Sequence, residues 1–402
     1  MIFINKIYIT MKYLKKFETH AEYEEYVTGG TMVKPNVSYC EDFDDVHYNP
    51  WTWADAYLTT VALEDGTISF VIFRRMGTDM ITSISYSTDD GETWTTTNNI
   101  DNKSAELQIT VNVNEGDKVL WKGDAKQLGY EEGEFVGSFF SSTCEFDVMG
   151  NVMSMLYGDN FKDKFEIEED SAFCLLFFDF YEALPCYVVN AKDLVLPATT
   201  LTNNCYREMF KFCTNLVTPP QLPATTLASG CYNSMFIRCT SLTTAPVLPA
   251  TTLAETCYYG MFESCTSLTS APELPATTLA DYCYAGMFDG CTSLTTAPEL
   301  PATTLASNCY NSMFYNCTSL TSAPQLLATT LANSCYDSMF RGCTSLNYIK
   351  AMFTTTPSST YTENWVNGVA ASGTYVKNSA ASYTTRGASA IPNGWTVETA
   401  SA

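Results

Sequence analysis

Histidine is almost missing from this chain: His20 and His47 are the only two in 402 residues. Triads built on His and His-rich metal sites therefore drop out as readings. No run of 18 apolar residues occurs, so nothing reads as a bilayer-spanning helix. Gly-rich phosphate loops, a Gly-x-Ser-x-Gly elbow and a carboxylate pair set apart by its spacing are missing as well. Cations are scarce, 21 Lys and Arg against 44 Asp and Glu, and a net charge of −23 argues against nucleic acid or an anionic membrane as partner. The opening segment 1–10 is apolar only in pieces broken by Asn5 and Lys6, without a basic leader or small-residue cleavage site, and reads as no secretory signal. Met11 is at least as good a start. With neither signal nor anchor in view, the expected location is a virion, or a cell surface reached by another route.

What is present describes a globular chain: 46% hydrophobic and 16% charged residues, at a length that suggests two to four domains. The charge is uneven. Residues 1–196 hold 34 acids against 14 bases, residues 197–350 hold 8 against 5, and residues 351–402 hold 2 of each.

The dominant feature is a repeat. Leu196-Pro-Ala-Thr-Thr-Leu201 returns at Leu222, Leu248, Leu274, Leu300 and, with Leu327 in place of Pro, at Leu326; every step is 26 residues. Twelve of the 16 cysteines keep the same step, in one column from Cys205 to Cys335 and another from Cys213 to Cys343. In the third copy Leu253, Cys257, Met261 and Cys265 fall at i, i+4, i+8 and i+12, which predicts a short helix capped by Thr251 or Thr252. Leu268 to Leu274 then predicts a short strand whose Pro272 confines it to an end or an edge. One helix and one strand per unit is a leucine-rich-repeat geometry, and a lone unit cannot bury its apolar stripe, so the units are expected to stack as a solenoid.

Disulfides fit this picture poorly. Eight residues of helix separate Cys257 from Cys265 by about 12 Å, and stacked helices lie about 8–10 Å apart, both long for a disulfide. Zinc has no Cys-x-x-Cys spacing and no His in the repeats. The cysteines therefore read as small buried hydrophobes, and no metal or other cofactor is expected.

The fold class that follows is a multidomain α+β chain. An N-terminal segment (1–49) with a helix at Thr19–Val27 and a strand at Asn36–Cys40 precedes an antiparallel β-sandwich (50–150). There, strands are expected at Tyr57–Leu63, Ile68–Phe73, Ile81–Tyr86, Leu107–Val113, Lys118–Trp121 and Cys144–Val148. A degenerate cap repeat (151–195) leads to the solenoid (196–350), and a small β cap (351–402) with strand signals at 365–369, 373–376 and 391–397 closes it.

Two local patterns suggest chemistry. Ser87-Thr-Asp-Asp-Gly-Glu-Thr-Trp94 matches an Asp-box, which resembles sialidase propeller blades; those carry several copies, this chain carries one, and the motif is a hairpin device without a catalytic group. The acid runs Glu41–Asp45 and Glu166–Asp170 lack the spaced ligands and mid-loop glycine of an EF-hand and read as solvated faces.

The Met-Phe…Cys…Leu pattern, Met209-Phe210…Cys213…Leu216 and its copies at Met235, Met261, Met287, Met313 and Met339, resembles the BspA-like leucine-rich-repeat family over about 150 residues. The 26-residue step departs from that family's commoner 23. With the Lys16–Tyr23 opening and the Ile-Pro-Asn-Gly-Trp ending, the layout is also similar to surface proteins of gut anaerobes and to tail or fibre proteins of their phages. The resemblance implies adhesion to a protein or glycan on a cell surface and transfers no ligand residues.

Copies of the repeat can be compared with each other. Three residue pairs vary, Asn203-Asn204, Arg207-Glu208 and Lys211-Phe212 in the first unit, and they are expected to share one side of the helix. The residues with contact chemistry there are Arg207, Lys211, Arg238, Tyr259, Tyr282, Asp289, Tyr315 and Arg341, the candidate partner-binding set; drift at solvent positions would give the same variation. Three functions compete: a non-enzymatic recognition protein carried on a phage or other particle, a bacterial surface or secreted adhesin, and a glycan-processing enzyme seated in the β-domain. The first is the principal expectation.

Overall fold

The computed structural model describes residues 53–73, 81–98, 106–129, 137–179 and 185–400. The expected helix at Thr19–Val27, the strand at Asn36–Cys40, the acid run Glu41–Asp45 and the choice of start lie outside the described residues. Within them the chain is rich in strands, with several sheets and no barrel, and its one α-helix, α1 at Ser154–Tyr157, is a single turn followed by a 3-10 turn at Gly158–Asn160.

Alternating apolar and polar residues build the first region. Its strands are β1 (Leu58–Ala62), β2 (Gly66–Phe73), β3 (Ile81–Ser87), β4 (Thr95–Asn98), β5 (Glu106–Val113), β6 (Lys118–Ala125), β7 (Ser138–Ser142), β8 (Phe146–Asn151) and β9 (Val188–Val195). They form one sheet in the order β4-β3-β6-β1-β8-β9 and a second in the order β5-β2-β7. All pairs are antiparallel except β8 with β9. Rings from both sheets meet in the core: Trp121 of β6 lies 5.3 Å from Phe140 of β7 and 6.4 Å from Phe70 of β2. Strand β9 comes from the stretch read as a separate cap, yet it completes the larger sheet, so a boundary at residue 150 runs through that sheet.

The repeats are not built from helices. No helix or strand occurs between residues 197 and 347, and the expected helix at Leu253–Cys265 is instead a ribbon of overlapping turns. In the first unit, Arg207, Met209, Lys211 and Cys213 each donate a backbone N–H to the carbonyl three residues back. The alternate residues, Asn204, Tyr206, Glu208, Phe210 and Phe212, donate instead to the next unit, at Ser229, Cys231, Asn233, Met235 and Ile237. From Tyr206 to Cys213 every backbone donor thus has a partner, half of them 25 residues away. Every fourth residue has positive φ (Asn204 53°, Glu208 56°, Phe212 67°), the third position of a type II turn. A capping role for Thr251 also fails: its carbonyl accepts the N–H groups of Thr277 and Thr278 in the following unit. The expected strand is reduced to isolated parallel bridges such as Ser270 with Thr296, because the prolines of that segment remove ladder donors.

A period of four, not 3.6, sorts the side chains. Adjacent pairs point alternately in and out: Cys205-Tyr206 and Met209-Phe210 are fully buried, whereas the 203–204, 207–208 and 211–212 pairs face outward. Because neighbouring units are joined by backbone hydrogen bonds, they stand about 4.8 Å apart, and each inward side chain lies on its own copy. Tyr206, Tyr232, Tyr258, Tyr284, Tyr310 and Tyr336 stack with ring centroids 5.7 to 6.0 Å apart. A second file of rings runs from Phe177 through Phe210 to Phe340 at 5.1 to 5.8 Å.

The file continues at both ends under other residues. Phe173 and Phe177 precede the first unit, donating backbone N–H groups to Cys205 and Met209. Beyond the last unit, segment 361–367 accepts the same bonds from Tyr336, Ser338, Phe340 and Gly342, so 365–369 is one more rung rather than the expected strand. A parallel sheet of β10 (Tyr348–Ala351), β11 (Thr374–Lys377) and β12 (Thr396–Thr399) closes the strand side, with Trp365 and Trp395 buried beneath.

All fifteen described cysteines are buried with free thiols. The second column has a specific bond: Cys239, Cys265 and Cys291 each donate S–H to the Phe carbonyl of the preceding unit at 3.1 Å. The helix-to-helix spacing invoked against disulfides does not apply, since thin rungs bring equivalent cysteines closer than that. Burial pushes these thiols up, to about 12 at Cys231 and Cys283.

Candidate functional site

The turn ribbon presents its outward pairs as six columns running along the stack. A backbone conformation that suits Gly, Asn and Ser holds half of them, and those residues fill most positive-φ sites: Gly230, Ser234, Gly260, Gly286, Asn308 and Ser312, for example. Glu208, Phe212, Arg238 and Tyr282 occupy the same positions at φ of 56°, 67°, 59° and 57°.

The structure brings part of the expected set together. Arg207 and Lys211 flank Glu208, at 3.5 Å and 2.8 Å. Lys211 lies 5.2 Å from the Phe212 ring and Arg238, one rung on, 5.3 Å from the same ring. Arg341 lies over Tyr315 at 5.6 Å. Tyr259 and Tyr282 stand on the middle units, each 40% exposed, without a stacking partner of their own. Asp289 is half-buried, and its carboxyl is pushed up to about 7, chiefly by burial and next by the charge of Glu263. Glu263, which lies in the same column one rung earlier, is also raised by burial, opposed by Arg238 and Lys211. Neither Glu263 nor Phe212 was in the candidate set; the signal for both was the 26-residue column they share with residues that were.

The Asp-box forms the hairpin turn between β3 and β4. Asp89 accepts from Ser87 Oγ at 2.6 Å and from the Thr93 N–H at 2.9 Å, while Trp94 Nε1 donates to the Gly91 carbonyl at 3.1 Å. Those hydrogen bonds, that of Ser87 first, lower the Asp89 carboxyl to about 2. Beside it Lys122 sits 3.9 Å over the Trp94 ring and bonds Asp159 at 2.7 Å, and the Tyr57 hydroxyl donates to the same oxygen at 2.7 Å. Tyr57 is held at about 12, by burial first and Asp159 second. These contacts fasten the hairpin to the sheet.

In the second acid run, Asp170 accepts from the backbone N–H and side-chain amide of Asn203, at 2.9 Å and 3.1 Å. No group of three or more metal-ligating side chains forms among the described residues, and no helix there is long and apolar enough to cross a membrane. Comparison with known protein families, characterised proteins and solved structures returned no match for this chain.

Proposed function

We propose that this chain is a non-enzymatic recognition protein whose repeats form a leucine-rich-repeat-like solenoid displaying the ribbon face to a protein or glycan on a cell surface. Support comes from one contrast: inward columns hold the same residue from copy to copy, while the outward pairs on the same ribbon vary, as in Arg207-Glu208, Asn233-Ser234 and Tyr259-Gly260 of the first three units. Files of stacked rings joined by backbone bonds hold the outward side chains on a stiff frame, which lowers the ordering cost of binding. Arg238 and Tyr282 accept backbone strain at positive-φ sites while their side chains stand exposed. The β-domain is read as the spacer or attachment module, and the location as a virion or cell surface.

Screening the full chain on glycan and surface-protein arrays, with Arg238→Ala and Tyr282→Ser beside it, tests the reading. A ligand lost about tenfold or more by either variant supports it. A ligand insensitive to both, or turnover of an arrayed glycan, overturns it.

A further inference from the structure

The outward face is divided by charge along the stack. No Lys or Arg lies between Arg238 and Arg341, and the third and fourth units place Glu255, Glu263, Asp281 and Asp289 on the ribbon. Arg207, Lys211 and Arg238 mark the first two units, with Glu208 offsetting one of the three charges through its contacts to Arg207 and Lys211. One column, read along the stack, is Lys211, Ile237, Glu263, Asp289. Reversed and laid against itself it matches Lys211 with Asp289 and Ile237 with Glu263, with Arg238 adjoining the latter pair.

The same reversal keeps each column opposite itself and sets bulk against small residues. Phe212 faces Gly290 and Tyr259 faces Asn233, while Arg207 falls opposite the position of Ala285, whose own neighbours bury it. Charge and size therefore agree on one arrangement, in which a two-fold axis lies in the plane of the face, across the stack, between the second and third units. Such an axis is the usual symmetry of a self-complementary contact.

We propose that the ribbon face binds the ribbon face of a second copy of this chain, stacks antiparallel. This rests on the reading of that face as the recognition surface and names its partner as homotypic. Lys211 of each chain meets Asp289 of the other, a carboxylate whose charged neighbour in its own chain is Glu263. Four rungs span only about 14 Å at about 4.8 Å per step, so the area is below that of standard stable complexes. The contact is weak, oriented by charge and sensitive to salt.

Sedimentation of the full chain over a wide concentration range tests it. Dimer forms at about 50 mM salt and weakens at least tenfold at about 500 mM. Lys211→Glu and Asp289→Lys each weaken it at least tenfold alone, and mixing the two variants restores a heterodimer, because each new charge then faces its opposite. Arg238→Glu, at an exposed position, serves where a half-buried substitution perturbs the rung. A chain monomeric at every concentration in low salt, or a dimer indifferent to these exchanges, overturns the proposal. Array ligands that remain sensitive to Arg238→Ala in such a monomeric chain would leave the recognition reading standing, and their loss as well would remove both.

Discussion

The β-domain and the repeat stack bury aromatic side chains in opposite ways. In the β-domain, Phe70, Trp121 and Phe140 meet at interplanar angles of 42° to 80°, each ring packed among unlike neighbours. In the stack, rings lie on their own copies at 4° to 12°. A stack interior therefore solves one packing problem and repeats it, leaving the outward pairs free to vary. It also repeats its costs: the hydroxyls of Tyr206, Tyr232, Tyr258 and Tyr310 are buried without a hydrogen-bond partner.

High pH should break the two regions apart most strongly. The ordinary thiol value is 9.0, and burial carries Cys231, Cys283, Cys335 and Cys343 to about 12. The folded state binds these protons more tightly than the unfolded one, so their contribution is fully present below the ordinary value and is lost as pH rises from about 9 toward 12. Circular dichroism against pH should show the stack unfolding in that window, with iodoacetamide labelling of its thiols appearing only then. Early labelling at pH 8 without unfolding would contradict the packing.

A cavity in the ring file comes next. Phe262 lies 5.6 Å from Phe236 and 5.7 Å from Phe288, and Phe262→Ala should cost about 3–5 kcal/mol, read by urea unfolding. The regions also differ in tolerance at glycine. A Cβ on Gly150 would meet the Tyr57 carbonyl oxygen of the β-domain at 1.9 Å, whereas on Gly290 the nearest atom is the Ser264 hydroxyl at 3.2 Å, and both have positive φ. Gly150→Ala should therefore cost about 3 kcal/mol or more, and Gly290→Ala about 1 kcal/mol, as several other copies already carry a side chain there.

Asp289→Asn is the smallest change. With its folded value raised to about 7 from 3.8, the native carboxylate loses stability as pH climbs through that interval. The amide should raise stability at pH 8 by under about 1 kcal/mol after allowing for solvent at the side chain, read as a higher melting point, and change little at pH 4.

Much of the packing was legible in the sequence, and the backbone was not. The 26-residue step names the buried columns, and alternation places β1, β2, β3, β5, β6 and β8 to within a few residues. Strand β4 is a run of Thr and Asn, and β7 is Ser-Phe-Phe-Ser-Ser, so neither carries the alternating signature. The helix was misread because Leu253, Cys257, Met261 and Cys265 repeat at strict fours. A true helix would rotate that stripe by about 40° at each step. The adjacent inward pairs Cys257-Tyr258 and Met261-Phe262, with Gly, Ser and Asn recurring at every fourth position, carried the correct signal. The rung at 361–367 was hidden because Trp365 and Val366 replace Met-Phe and no cysteine marks it. Of the candidate face, the outward columns were visible, while the clustering of Lys211 and Arg238 at Phe212 depends on rung contact that only the folded backbone supplies.

The thinness of the rungs is the most direct point of test. Spin labels at exposed Thr200→Cys and Thr330→Cys, five units apart, report the rise of the stack by pulsed electron–electron resonance in a chain carrying Cys40→Ser, the fifteen described native thiols being too buried to label. Hydrogen-bonded turn ribbons predict a separation of about 24 Å at about 4.8 Å per unit. A distance of about 40–50 Å, five steps of packed helices, would contradict the ribbon and the ring files together.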